Sequence, residues 1–299
     1  MKVMITGANG AVATALTEKL LKESDCGLLL ISSNVQKIRE KYGGEKRITC
    51  LDLSEAEADP DICGKPDIAV HTAFSRSENA VLAASSLDYC ARVLQVAKRM
   101  SVKSYINISS QSVYGSASEP LWRENSPVSP ESLYAAAKYS SEKMTSLTFF
   151  GTETNRTNIR LSSVCENARF VGTFVKNMIA GLPIRIIGGG QMVSMIDIGD
   201  VADALYAVIS QSGKKFKEVY NLGTGKQTSI VEIANLVNKI GHEEYDLPPV
   251  DISIEPKDIR LNVGMNSEAF CTEFNWKPRR DMADMIRRQF DSNIGNSRS

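Results

Sequence analysis

Val3-Met4-Ile5-Thr6 is a short apolar run, and it passes directly into Gly7-Ala8-Asn9-Gly10-Ala11-Val12-Ala13 before a helical pattern takes over at Leu16, Leu20 and Leu21. No other stretch restricts the fold so tightly. An apolar run of this length, bounded by a glycine turn, reads as a buried strand. Glycines between a strand and a helix let the backbone approach a pyrophosphate, and the helix N-terminus offers its N–H groups to the same anion. Gly7, Asn9, Gly10, Ala11 and Val12 are therefore the first candidate binding residues.

The alternation continues. Leu28 to Ile31, Ile48 to Leu51, Ile68 to Val70, Ser104 to Ile108 and Thr157 to Leu161 read as further strands. Between the fourth and fifth, Leu87, Cys90, Ala91, Leu94 and Ala97 recur at helical spacing and form a core-facing stripe. Strands that alternate with helices imply parallel pairing through right-handed crossovers. The expected class is α/β, a doubly wound parallel sheet with its ligand at the carboxyl ends of the strands. Beyond about Cys165 the elements become shorter. A helix is expected from Phe174 to Ile179, a second through Leu205 and Ile209, a strand and turn at Val219 to Gly225, and a helix from Ile230 to Ile240 capped by Ser229.

Composition narrows the function. The 299 residues include 35 Lys+Arg and 35 Asp+Glu, so the chain is formally neutral. That argues against a nucleic-acid or membrane-surface partner. No run is long and apolar enough to span a bilayer, and a strand starting at Val3 leaves no room for a signal peptide. The cysteines (26, 50, 63, 90, 165 and 271) include no C-x-x-C pair, as expected of reduced thiols in a cytoplasmic protein. His71 and His242 are the only histidines. That rules out a multi-histidine metal site and makes histidine acid/base chemistry a poor expectation; His71 is read as structural.

The chemistry is concentrated in Ser109-Ser110-Gln111-Ser112-Val113-Tyr114-Gly115 and Tyr134-Ala135-Ala136-Ala137-Lys138, separated by a loop containing Pro120, Pro127 and Pro130. A tyrosine and a lysine at i and i+4 share a helix face. An ammonium beside a phenol favours the phenolate, which brings the tyrosine toward use as an acid or base near neutral pH. A serine hydroxyl within reach can hold a carbonyl or alcohol. Tyr-x-x-x-Lys also occurs at Tyr42/Lys46 and Tyr139/Lys143. Tyr42 precedes Gly43-Gly44, a poor place for a rigid helix, and Tyr139 points about 140° away from Tyr134 on the same helix. Ser110, Tyr134 and Lys138 are the expected catalytic set.

These residues resemble the extended short-chain dehydrogenase/reductase family, which includes nucleotide-sugar epimerases, dehydratases and ketoreductases. The resemblance runs from Val3 to Trp276-Lys277-Pro278 and implies a Rossmann sheet with a small substrate lobe. Residues 1–165 would form the dinucleotide-binding domain, with 193–222 returning to it in part. Residues 166–192 and 223–292 would form the substrate lobe, and 293–299 a flexible tail. Ala13 stands where the family usually has a third glycine and is small enough to preserve close helix–strand packing. The resemblance further implies that Asp52 and Leu53 lie beside the adenine, Thr72 and Ala73 beneath the cofactor, and Leu161 and Val164 near the nicotinamide. Lys138 would bind the nicotinamide ribose as well as lower the pKa of Tyr134, and a homodimer through the Tyr134 helix and the helix before it is plausible on the same grounds.

Three positions set the finer expectations. At the adenosine ribose the chain offers Ser32, Ser33 and Asn34 instead of a carboxylate, with Lys37 and Arg39 nearby, so NADP(H) is preferred and NAD(H) stays open. Ser163, Val193 and Glu255 stand where family members that bind nucleotide sugars grip the diphosphate. Arg160, Lys257, Arg260 and Arg279 are the possible substitutes. Gln111 and Ser112 replace the acidic pair of the dehydratase branch. The expected function is hydride transfer at a secondary alcohol or ketone of a sugar or sugar nucleotide, with a reductase placed slightly ahead of an epimerase and dehydration behind both. The alternative is a non-catalytic NADP(H)-binding sensor on the same fold.

Overall fold

The computed structural model describes residues 1–116 and 121–295; Pro120 and residues 296–299 of the expected tail lie outside them. The chain runs β1 (Lys2–Thr6), α1 (Ala11–Glu23), β2 (Gly27–Ile31), α2 (Val35–Tyr42), β3 (Ile48–Leu51), α3 (Leu53–Ala58), β4 (Ile68–His71), α4 (Ala80–Arg99), β5 (Ser104–Ser110), α5 (Leu133–Thr148) and β6 (Asn155–Leu161). There follow β7 (Ser163–Val164), α6 (Arg169–Ile179), β8 (Ile184–Ile187), β9 (Met192–Val193), β10 (Met195–Ile196), α7 (Ile198–Ser210), β11 (Val219–Leu222), β12 (Thr228–Ser229), α8 (Ile230–Tyr245), β13 (Ile252–Glu255), α9 (Glu268–Phe274) and α10 (Met282–Gly295).

Seven strands form one parallel sheet in the order β3-β2-β1-β4-β5-β6-β11. This is the expected doubly wound α/β sheet. The order reverses between β1 and β4, and that switch point opens a crevice at the carboxyl ends of the strands. Alternate strand residues point to opposite faces. Val3, Ile5, Leu28, Leu30 and Val70 pack with Leu16 and Leu20 of α1 and with Val201, Leu205 and Val208 of α7. Met4, Leu29, Ile31, Ala69 and Tyr105 pack with Val93, Leu94 and Ala97 of α4. Ala13 is fully buried in the first of these cores.

A second, smaller core joins α6, α8 and α10 to β8, through Phe174, Met178, Ile184, Ile233, Val237, Ile286 and Phe290. Two differences from the expected boundaries stand out. Phe270 and Phe274 of α9, with Trp276, pack around Tyr220 in the core of the large sheet. The chain therefore returns to the sheet half a second time. Residues 293–295, expected in the tail, are the last turn of α10.

Candidate active site

Gly7 turns the chain out of β1 at φ +70°, and a Cβ there would sit 2.7 Å from the Ala73 Cα. The turn thus requires glycine both for its left-handed backbone and for the close approach to the β4 turn. No side chain caps α1 at Gly10, so its first N–H groups are left for a ligand. Gly10, Ala11 and Val12 line a cleft of about 1280 Å³, larger than the ~300–1,000 Å³ of most small-molecule sites. Thr72, whose hydroxyl donates to the Thr6 carbonyl at 2.8 Å, lines the same cleft, as do Leu161 and Val164.

Asn9 and the candidates at the adenosine end lie outside that lining. Asn9 donates to the Ser32 hydroxyl at 2.6 Å and to the Asn34 carbonyl at 2.9 Å. Ser32 also accepts from the Asn34 N–H, and the Asn34 side chain caps α2; Ser33, Lys37 and Arg39 are exposed. Asp52 closes a capping box with Glu55 at the start of α3, and Leu53 is buried in the core. Two of the three adenosine-side groups and the Asp52 carboxylate are thus already occupied by local hydrogen bonds.

Ser132 caps α5, and the helix brings Tyr134 and Lys138 to the cleft beside Ser110 at the end of β5. The other two tyrosine–lysine pairs do not reach the cleft. Tyr42 is the last residue of α2, and Tyr139 is half-buried against Val113, Tyr114 and Trp122. The Ser110 hydroxyl accepts from the Ser112 N–H and hydroxyl. Burial raises the Tyr134 pKa above its ordinary value; the Ser110 hydroxyl and the Arg76 charge pull it back.

Lys138 is buried at the cleft. Its ammonium donates to the Ile108 carbonyl at 2.7 Å and lies 4.1 Å from the centre of the Phe74 ring. Burial pushes its pKa down to about 7. Arg76, from the loop after β4, is a cation that pulls the Tyr134 pKa down. Phe74 of that loop meets the Tyr134 ring edge-on at 6.0 Å, and Glu78 accepts from the Leu133 N–H at 2.8 Å, which ties the loop to the start of α5. Arg76, Glu78 and Glu131 line the cleft and were missed from sequence. The signal for the first two was their position, just past the carboxyl end of a strand beside the switch point.

Arg160, a possible substitute for the diphosphate grip, does not line the cleft. It is buried and pairs bidentately with buried Glu142 at 2.7 and 2.9 Å. Ser109 donates to the same carboxylate at 2.5 Å, and the guanidinium sits 4.7 Å from the centre of the Tyr114 ring. Lys257, Arg260 and Arg279 do not line the cleft, and Glu255 is exposed on β13. Ser163 does line it and accepts from the Gln111 amide at 3.0 Å. His71 is buried, bonds the Thr6 hydroxyl at 2.7 Å and is pushed down to about 3 by burial, then by the Lys138 charge. It is a neutral structural histidine.

A parallel sheet with a glycine turn at its switch point, and a tyrosine, lysine and serine facing it across a cleft, defines an α/β dinucleotide-fold protein. The model of the NAD dependent epimerase/dehydratase family matches residues 3–223, and the chain belongs to that family. It is 23% identical to a dTDP-glucose 4,6-dehydratase of Actinoplanes sp. over 318 residues, covering 96% of this chain and 95% of that protein. It is also 23% identical to a putative UDP-glucose 4-epimerase of Methanocaldococcus jannaschii, covering 99% and 100%. Among solved structures, UDP-glucuronic acid 4-epimerase from Bacillus cereus, in complex with UDP-glucuronic acid and NAD, superposes with a TM-score of 0.84 at 19% identity, covering 99% of this chain and all of that one. UDP-glucose 4-epimerase from Thermotoga maritima, with UDP-glucose, gives 0.81 at 20%, again covering 99% and 100%. These names are epimerases and dehydratases and lend no support to the preference for a reductase. Among the described residues no helix is long and apolar enough to cross a membrane.

Proposed function

We propose that this protein catalyses reversible, nicotinamide-dependent oxidation of a secondary alcohol on a sugar, with Tyr134 as the acid/base. The observation that carries the reading is the convergence of Tyr134, Lys138 and Ser110 on one cleft with the uncapped start of α1. Gly7, whose turn admits no Cβ, and the N-terminus of α1 fit a pyrophosphate. NAD(P) bound there would accept or return the hydride at its nicotinamide ring.

Tyr134 takes the proton from the alcohol as it becomes a carbonyl and returns it in the reverse direction. Ser110, anchored by Ser112, orients the reacting oxygen. Lys138 is the cation placed to hold the nicotinamide ribose. Gln111, Ser112, Ser162 and Ser163 supply hydroxyl and amide groups around the reacting position, as a polyhydroxylated ring requires. Family membership and the NAD and sugar nucleotides named in similar structures support NAD(H) and a sugar-nucleotide class of substrate. Ser32, Ser33 and Asn34 with Lys37 and Arg39 leave room for NADP(H). Neither residue after Ser110 is acidic, which supports oxidation–reduction or epimerisation over dehydration.

The test is made on protein as purified. The dinucleotide released on denaturation is identified, and the emptied protein is titrated with NADH and NADPH. Stoichiometric NAD⁺ supports an epimerase cycle that retains its cofactor. An empty protein that prefers NADPH supports a reductase, and an emptied, folded protein that binds neither ends the reading. Tyr134→Phe is expected to lower turnover by about 10²–10⁴-fold while cofactor affinity stays nearly unchanged; retention of most activity removes Tyr134 from its role.

A further inference from the structure

The loop after β4 is fastened on both sides of one residue. The Phe74 ring meets Tyr134 edge-on at 6.0 Å and lies 4.1 Å from the Lys138 ammonium. Ser75 N–H donates to the Ser86 hydroxyl of α4 at 3.1 Å. The Ser77 hydroxyl accepts from the Asn79 N–H at 3.1 Å, and Asn79 caps α4. Glu78 accepts from the Leu133 N–H, at the first residue of α5, at 2.8 Å. Phe74 and Glu78 thus tie the loop to the same end of α5, two residues to either side of Arg76. Neighbours locked by packing and hydrogen bonds keep a side chain in one place.

Arg76 itself is exposed and lines the cleft, and among the described residues its guanidinium has no hydrogen-bond or ion-pair partner. The carboxylates of the same cleft are engaged elsewhere, Glu78 with the Leu133 N–H and Glu131 with the Ser116 hydroxyl. The charge of Arg76 is therefore left unneutralised at Tyr134, where it opposes the burial that favours the neutral phenol. Lys138 is a different kind of cation. Burial lowers its pKa to about 7, so its charge fades above neutral pH, whereas a guanidinium stays charged throughout.

We propose that Arg76 is a positioning residue that acts through Tyr134: the tethered loop holds a permanent positive charge at the cleft, and that charge stabilises the phenolate that accepts the proton of the alcohol. This rests on the reading of Tyr134 as the acid/base. The other charged groups lining the cleft with Tyr134, among the described residues, are Lys138 of its own helix, Glu78 of the same loop, Glu131 ahead of α5 and Arg169 at the start of α6.

The experiment uses the full chain emptied of dinucleotide, with ring-fluorinated tyrosine in place of tyrosine. The fluorine resonance lost in Tyr134→Phe identifies Tyr134, and its change with pH gives the ionisation midpoint. Arg76→Gln is expected to raise that midpoint by about 0.5–1 pH unit, and Arg76→Glu by about twice as much. Arg76→Lys keeps the charge and should move it by less than half the shift of Arg76→Gln. Raising the ionic strength from about 0.01 M to 1 M shortens the Debye length from about 30 Å to 3 Å. The wild-type midpoint should then climb toward that of Arg76→Gln, and the variant should move less.

Equal shifts in the Lys, Gln and Glu variants would make the effect one of loop packing and overturn the proposal. So would an unmoved midpoint in Arg76→Glu, or a wild-type midpoint indifferent to salt. Failure of the acid/base reading registers separately, as full activity in Tyr134→Phe or loss of dinucleotide binding, and neither enters this titration.

Discussion

Beneath the active-site strand, Arg160 of β6 and Glu142 of α5 lie 18 residues apart and form a fully buried bidentate pair. At the seam between the lobes, Asp197 and Asp200 are equally buried, but their cations come from the far end of the chain. Arg280 reaches Asp200 at 2.7 Å, 80 residues away, and Arg288 reaches Asp197 at 3.3 Å. The seam arginines remain 34% and 39% exposed. Asp200 also accepts the backbone N–H groups of Arg279 and Arg280. The first pair is a dry unit within one βαβ neighbourhood. The second is a clasp that holds α10 to α7 and stays partly wet. Removing one partner should therefore matter more beneath the active site than at the seam.

Arg160→Met puts the sharpest pressure on that contrast. It leaves the Glu142 carboxylate buried with only Ser109 for company, and the expected loss is about 3–5 kcal/mol, read from chemical denaturation. Adding Glu142→Leu should recover part of that loss; a double variant as unstable as the single one would show that the pair is not an isolated unit.

A second test concerns the other buried charge of that region. Burial lowers the Lys138 pKa to about 7, so between about pH 7 and pH 10 the unfolded chain keeps a proton that the folded protein has released. Stability of the cofactor-free protein should rise with pH across this window and be flat below it. Lys138→Met should remove that slope, and a variant with the wild-type slope would mean that the ammonium is solvated.

Arg280→Met should cost less, about 1.5–3 kcal/mol, because Asp200 keeps its two backbone donors. A loss equal to that of Arg160→Met would erase the distinction between the dry pair and the clasp. The smallest effect belongs to the carboxylate with the nearest partner. Asp52→Ala removes only the α3 capping box and should lower stability by about 1 kcal/mol. A large loss of cofactor affinity in that variant would instead place Asp52 at the adenine.

The same distance in sequence separates what was legible from what was not. The seven-stranded sheet was readable because each βα unit advertises itself within about thirty residues by its periodicity and its glycine or capping residue. Tyr134 and Lys138 were readable because one helix turn joins them. Arg160 was misjudged because its partner lies on a separate element, and a charged residue within a strand does not announce which side chain it will meet. Tyr134, Lys138 and Glu142 do share one face of α5, which was the available signal. Arg76 was passed over because a loop has no period to read, and its approach to Tyr134 exists only once β4 and β5 are paired. α9 was assigned to the wrong half because its aromatic stripe specifies burial without saying against which core.

By itself the sequence determined the fold class, the glycine turn and the polar equipment at the ends of β5 and α5, since these depend on local backbone geometry and on spacing along single elements. Only the tertiary structure decided that Arg76 comes near Tyr134, that Lys138 is engaged by a carbonyl, that the Asp52 carboxylate is taken up by its own helix, and that apolar side chains of the small lobe share the cleft. Electrostatic and packing interactions depend on distances through space, and long-range chain crossings alone set those distances.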